Sequence, residues 1–227
     1  AGILIGCLSF KPNLGLVLPL LLVAGGAWRT VFAAAATVVV LVAASALAFG
    51  PETWVAYLRS AGELADFNLH DMESGALRPR WPHAQSFYNF GIAVSGSKAV
   101  AAVLHLAMGL PAVAVATLLW RGGAAPGVKA AAALAVSFLA TPYVHAYDAL
   151  LLAGAVAFLT REGLAQGFLP GERVMLVLSF ILPAGAIFAN FALFAPVAAL
   201  LLLWLAARRA RAGTSRPRSG VTTAEGG

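Results

Sequence analysis

The chain alternates apolar stretches with short polar breaks, and the stretches fall at about residues 2–24, 31–49, 97–120, 128–141, 147–159, 174–189 and 191–207. A straight helix needs about 20 apolar residues to cross the hydrocarbon of a bilayer. The first three stretches approach or exceed that length, and the pattern predicts an all-α, polytopic transmembrane bundle of about seven apolar segments. The breaks carry a signal of their own. Arg29, then Arg121 and Lys129, then Arg161 and Arg173, then Arg208, Arg209 and Arg211 occupy alternate connections, and the positive-inside rule assigns those connections to the cytoplasm. The others, a long loop at about 50–96, a turn at 142–145 and a turn near Asn190, then face outward.

Within the long loop, Gly50-Pro51-Glu52 suits a helix start, with proline in the first turn and an acid near the positive end of the helix dipole. Trp54, Tyr57, Leu58, Ala61 and Leu64 recur at helical spacing beside Arg59, Glu63 and Asp66, which predicts an amphipathic helix on the membrane surface. From Asn68 to Phe90 the loop becomes polar and aromatic, gathering Arg78, Arg80, Trp81, His83, Gln85, Tyr88 and Asn89.

Composition fits a membrane protein. Hydrophobic residues make up 61% of the chain and charged ones 11%, against roughly 25% charged in a soluble domain. A net charge of +6 would suggest nucleic acid as a partner of a soluble protein, but here much of the basic excess follows the last apolar segment and reads as a topology signal. Residues 1–207 are therefore read as membrane domain and 208–227 as a basic, disordered cytoplasmic tail. The single cysteine, Cys7, excludes a disulfide within the chain and a Cys-based zinc site. The sequence opens at Ala1 inside an apolar segment, with neither an initiator Met nor the basic region of a signal peptide, so a C-terminal portion of a longer protein is expected.

Two polar constellations carry candidate chemistry. Lys11-Pro12 interrupts the first apolar run. A charge at membrane depth costs about 2.5–3.5 kcal/mol on insertion scales, and the proline removes a backbone donor beside it, opening a polar niche where an ammonium can meet an anion. Counting along a single span places Lys11 near mid-membrane, so a ligand role requires a cavity that reaches it. The second constellation is TPYVHAYD at 141–148, where Pro142 interrupts a helix and His145, Tyr147 and Asp148 follow. On a helix His145 and Asp148 share a face, which suits either orientation of an imidazole by a carboxylate, binding of a sugar hydroxyl or a phosphate-bound metal, or a buried capping network. Gly2 and Gly6 form a GxxxG pair that permits close helix contact. GIAVSGSK at 91–98 comes near a phosphate-binding loop but has its lysine one place late and no strand before it.

FKPN at 10–13, FGPETWVAYL at 49–58 and TPYVHAYDALLL at 141–152 together resemble family 87 of the polyprenyl-phosphate-dependent glycosyltransferases, in the GT-C class of multi-spanning enzymes. Asn13 stands where the family more often has Gln. The resemblance implies transfer of a hexose, often mannose, from a polyprenyl-phosphate sugar to a lipid-linked or cell-envelope acceptor on the outer face of the plasma membrane. Membrane lipids, that donor and a glycolipid or glycan acceptor are then the partners. It places the general base in an outer loop ahead of this chain, assigns Lys11 to the donor phosphate with Arg78 and Arg80 as alternative clamps, and gives His145 and Asp148 the sugar or phosphate groups. It leaves a divalent metal open. A transporter or flippase for a lipid-linked saccharide, and an inactive membrane scaffold, are the rival readings.

Overall fold

The computed structural model describes residues 1–60, 62–63, 84–189 and 192–214, and it is helical throughout. The first apolar stretch is divided into α1 (Gly2–Cys7), a 3-10 turn (Leu8–Phe10), α2 (Pro12–Gly15) and α3 (Leu18–Ala24), and it leads into α4 (Trp28–Phe49). A further helix, α5, covers residues 52–60. Then come α6 (Phe87–Ser95), α7 (Lys98–Arg121), α8 (Pro126–Ala140), a 3-10 turn (Ala146–Ala149), α9 (Leu150–Gln166), α10 (Glu172–Ala189) and α11 (Phe194–Thr214). Two of these, α4 and α7, are long and apolar enough to cross a membrane, with mean hydropathies of 2.5 and 2.1.

The expected single crossing by residues 2–24 is corrected. Lys11 takes φ −130° and ψ 74°, outside the helical region, and Pro12 follows without a donor, so the helix stops there. A Cβ placed on Gly2 would lie 2.5 Å from Ala33 Cβ, and one on Gly6 would lie 2.6 Å from Thr37 Cβ. The residue order makes α1 parallel to α4. Three residues, Gly25 to Ala27, join α3 to the start of α4. Both ends of the stretch therefore lie at the same end of α4: the chain climbs along α1, reverses near Lys11 and returns through α3. The GxxxG pair makes this possible, because glycine lets two backbones approach where lipid offers no hydrophobic drive for association. Gly6→Val is expected to cost about 1–3 kcal/mol through overpacking; an unchanged melting temperature in detergent would mean that α1 does not sit on α4.

α8 forms the centre. Ala131, Ala132, Val136, Phe138 and Leu139 are buried on it, and α7, α9 and α11 pack around it. Its alanines keep those neighbours close. At one end of this bundle, here the arginine end, Trp120 Nε1 donates to Lys129 O and Lys129 Nζ donates back to Trp120 O, both at 3.0 Å, stapling α7 to α8. Gly25 packs there too, a Cβ on it lying 3.1 Å from Trp120. The opposite end carries the Thr141–Asp148 turn. Near that end GIAVSGSK is a corner between helices: Gly96 ends α6 at φ 67°, Ser97 accepts from Val100 N–H to start α7, and Gly91 lies against Ala101.

α11 runs past residue 207 through Arg208, Arg209 and Arg211 to Thr214, so helix extends into the stretch assigned to a basic tail. Of the amphipathic segment, residues 52–60 are helical and Trp54 Nε1 donates to Ser45 Oγ at 3.0 Å, folding the helix back on α4. Ala61 and the rest of its apolar stripe lie outside the described residues.

Candidate functional site

The reversal at Lys11 and the turn after α8 meet. Pro142 ends α8 at Thr141, whose backbone is already extended (φ −101°, ψ 130°). The chain then passes through Tyr143 and Val144 to His145, the cap of the 3-10 turn that opens α9. Residues 84 and 85 run beside it, with Gln85 N–H donating to Val144 O at 2.8 Å and Ala84 bridging His145. Gln85 is fully buried and its side-chain oxygen accepts from Ala195 N–H at 3.4 Å, tying the start of α11 to the same place. Below the turn, His105 on α7 sits 3.4 Å from Ala140 O, at the end of α8 where that carbonyl has lost its helical partner.

Onto this frame comes Lys11. Its ammonium forms an ion pair with Asp148 Oδ1, and Asp148 Oδ2 accepts the His145 backbone N–H at 3.1 Å. Asn13 Nδ2 donates to Tyr143 O at 3.2 Å, a second tie between the two motifs. Asp148 is nearly sealed, its side chain 4% exposed, whereas the Lys11 side chain keeps 27%. A lone carboxylate buried among apolar helices would be costly, and Lys11 offsets its charge. The ammonium also lies 4.5 Å from the centre of the Tyr147 ring, and that ring stacks on His145 at 5.3 Å with an 11° tilt while remaining exposed. An ammonium has three donors, so Lys11 can hold Asp148 and still offer a proton outward, beside an aromatic wall.

Three of the five candidate residues, Lys11, His145 and Asp148, are thus brought together. Arg78 and Arg80, like Trp81 and His83, lie outside the described residues. The count that placed Lys11 near mid-membrane assumed one straight helix; the chain instead breaks at Lys11, which meets the Thr141–Asp148 turn. The 3-10 conformation also changes how His145 and Asp148 relate: the carboxylate takes the backbone N–H of His145, which is the capping alternative, and it takes Lys11 as well. Tyr88 lies on α6, its ring 6.5 Å from that of Tyr143. Among the described residues no three His, Cys, Asp or Glu side chains gather as a metal-ligand group. Behind Pro12, between α1–α3 and α4, is an apolar cavity of about 330 Å³ lined by Leu8, Pro12, Leu16, Leu22, Ala35 and Val38.

A second buried pair escaped the sequence reading. Glu172 Oε1 pairs with Arg209 Nε, Glu172 Oε2 lies 2.6 Å from an Arg209 terminal nitrogen, and the same nitrogen donates to Gly167 O at 3.0 Å. It lies at the arginine end, far along the chain from the Lys11 pair, and clamps the α9–α10 connection onto α11.

No curated protein and no solved structure matches the chain. The model of glycosyltransferase family 87 matches residues 1–142, which takes in α1–α8, Lys11 and the first two residues of the TPYVHAYD turn. That match covers more than half of the 227 residues, and with two helices apolar enough to cross a bilayer the chain belongs to glycosyltransferase family 87, a family of membrane glycosyltransferases.

Proposed function

We propose that the protein transfers a hexose, mannose first among the candidates, from a polyprenyl-phosphate sugar to a lipid-linked or cell-envelope acceptor, and that Lys11 receives the donor phosphate. The observation that carries this reading is the partly exposed side chain of Lys11, its ammonium held by buried Asp148 at the break of an apolar stretch and beside the exposed ring of Tyr147. In the displacement the acceptor oxygen bonds to the anomeric carbon and gives its proton to a general base as the bond to the phosphate oxygen breaks, and the departing phosphate keeps the electron pair. A fixed ammonium in a low-dielectric niche stabilises that developing charge. Asp148 and the His145 N–H position the ammonium, since both carboxylate oxygens are engaged. Tyr147, stacked on His145, offers a flat surface to a sugar ring. The cavity behind Pro12 is apolar, as an isoprenoid chain requires and a nucleotide does not. The positive-inside rule turns the arginine end to the cytoplasm, which puts Lys11 and the Thr141–Asp148 turn toward the outer face of the plasma membrane.

The test is transfer in proteoliposomes, with radiolabelled polyprenyl-phosphate mannose and a membrane lipid extract as acceptor source. Label is expected on the acceptor. Label that changes leaflet without reaching an acceptor would make the protein a flippase, and no use of this donor alongside activity with a nucleotide sugar would overturn the polyprenyl-phosphate assignment.

A further inference from the structure

Between Lys98 and Thr117, α7 carries one polar side chain, His105. It lies about 10 Å along the axis from the start of the helix, within a segment apolar enough to cross a bilayer, and it is 7% exposed. Ionisable groups are rare at such positions and mark function where they occur. Its Nε2 lies 3.4 Å from Ala140 O. A carbonyl only accepts, so Nε2 carries the proton, and Nδ1 is left as a buried acceptor without a partner among the described residues. An apolar side chain would avoid that orphan. Packing alone therefore gives no reason for a histidine here.

Ala140 is the last residue of α8, and its carbonyl has no helical partner. From it the chain passes directly into the turn that holds Asp148. Two later carbonyls of that turn are taken by donors from other elements: Asn13 Nδ2 reaches Tyr143 O at 3.2 Å, and Gln85 N–H reaches Val144 O at 2.8 Å. His105 supplies the corresponding donor where the turn begins. On the same face of α7, a Cβ placed on Gly109 would lie 3.5 Å from Leu139 O, so α7 runs close against the end of α8. We propose that His105 is a positioning residue for the Lys11–Asp148 pair: by holding Ala140 O from α7 it sets where the turn leaves α8, and with it where Asp148 presents the Lys11 ammonium. The effect on the turn stands on this geometry alone, and the effect on sugar transfer rests on the reading of Lys11 as the group that meets the donor phosphate.

The test compares His105→Met with His105→Gln in the intact protein. The two side chains reach equally far, but glutamine keeps an N–H donor for Ala140 O and an acceptor oxygen in place of Nδ1, whereas methionine donates nothing. Amide hydrogen exchange of residues 141–148, read by mass spectrometry, reports the His145 N–H that Asp148 holds at 3.1 Å. That exchange is expected to quicken about tenfold in His105→Met and to stay near the parent rate in His105→Gln, as local opening of the turn alone predicts. The methionine variant should melt no lower than the parent, because the buried orphan is gone and an unpaired carbonyl is the better tolerated loss. Its kcat for transfer from polyprenyl-phosphate mannose should fall about 10–100-fold with KM for the donor within about twofold of the parent, the signature of a misplaced group that acts in the transition state. Glutamine should restore most of that rate. Parental exchange in His105→Met, equal losses of kcat in the two variants, or a methionine variant whose melting temperature falls together with its activity would each overturn the proposal. A parent protein that transfers nothing from this donor would overturn the donor assignment alone, and the exchange comparison then decides the role of His105 by itself.

Discussion

Replacing Lys11 with alanine is expected to lower sugar transfer by about 10²–10³-fold, the loss that follows removal of one preorganised charge-stabilising donor. The single variant mixes two effects, because it also strands the buried carboxylate of Asp148, and breaking a buried pair on one side costs about 3–5 kcal/mol. A matched pair of changes separates them. In Lys11→Met with Asp148→Asn no charge is left alone, and the asparagine oxygen can still accept the His145 backbone N–H that caps the turn. That double variant is expected to insert and melt close to the parent while remaining inactive. Activity near the parent level would show that the pair only holds the fold. Asp148→Asn alone should reduce transfer more than Arg161→Ala does, since Arg161 is exposed at the other end; equal effects would make the Thr141–Asp148 turn structural.

The two motifs that form this site are legible in the sequence, since each puts a charge and a proline where apolar residues surround them. Their pairing is not. Lys11 and Asp148 are 137 residues apart, and no local pattern says which buried acid meets which buried base. The reversal at Lys11 is hidden for a related reason: counting residues along an apolar run assumes one straight helix, whereas Pro12 and the glycines facing α4 turn the run back on itself. The glycines gave the clue, as a GxxxG pair six residues before a proline break describes a helix that needs a close neighbour. Tyr147 was visible as part of the motif, but its place beside the ammonium depends on the 3-10 turn, which spacing alone did not distinguish from an α-helix.

Arg209 was hidden by its company. In a row with Arg208 and Arg211 it reads as one more cytoplasmic charge, and Arg208 behaves that way, lying over the Trp204 ring at 4.7 Å and reaching Pro170 O at 3.3 Å. Arginines at 208, 209 and 211 fall within about one helical turn and point to different sides of α11, so they cannot all face water when α11 packs against α8 and α10. One of them must point inward, and an acid has to meet it. Glu172 is that acid, in a chain with only nine Asp and Glu residues.

Arg209→Ala is accordingly expected to be the most destabilising substitution at the arginine end. It leaves Glu172, 0% exposed, with a charge and only the Leu169 N–H, which it accepts at 2.7 Å. The penalty for such a stranded charge, about 3–5 kcal/mol, corresponds to a fall of roughly 6–20 °C in melting temperature for a chain of this size. Arg209→Lys should recover part of it, because a lysine meets the carboxylate but cannot span both of its oxygens and the Gly167 carbonyl in one plane. The decisive variant is Arg209→Met with Glu172→Gln, which removes both charges and keeps an acceptor for Leu169. If the loss in Arg209→Ala comes from the unpaired carboxylate, the double variant regains most of the stability that the single one loses. If the double variant melts as low as Arg209→Ala, the arginine stabilises through its own contacts with α9 and α10, and the Gly167 carbonyl is the bond to examine. Transfer activity should follow the folded fraction in all three, since none of these residues approaches Lys11, and this separates the arginine clamp from the pair at the other end of the bundle, where activity falls with the fold intact.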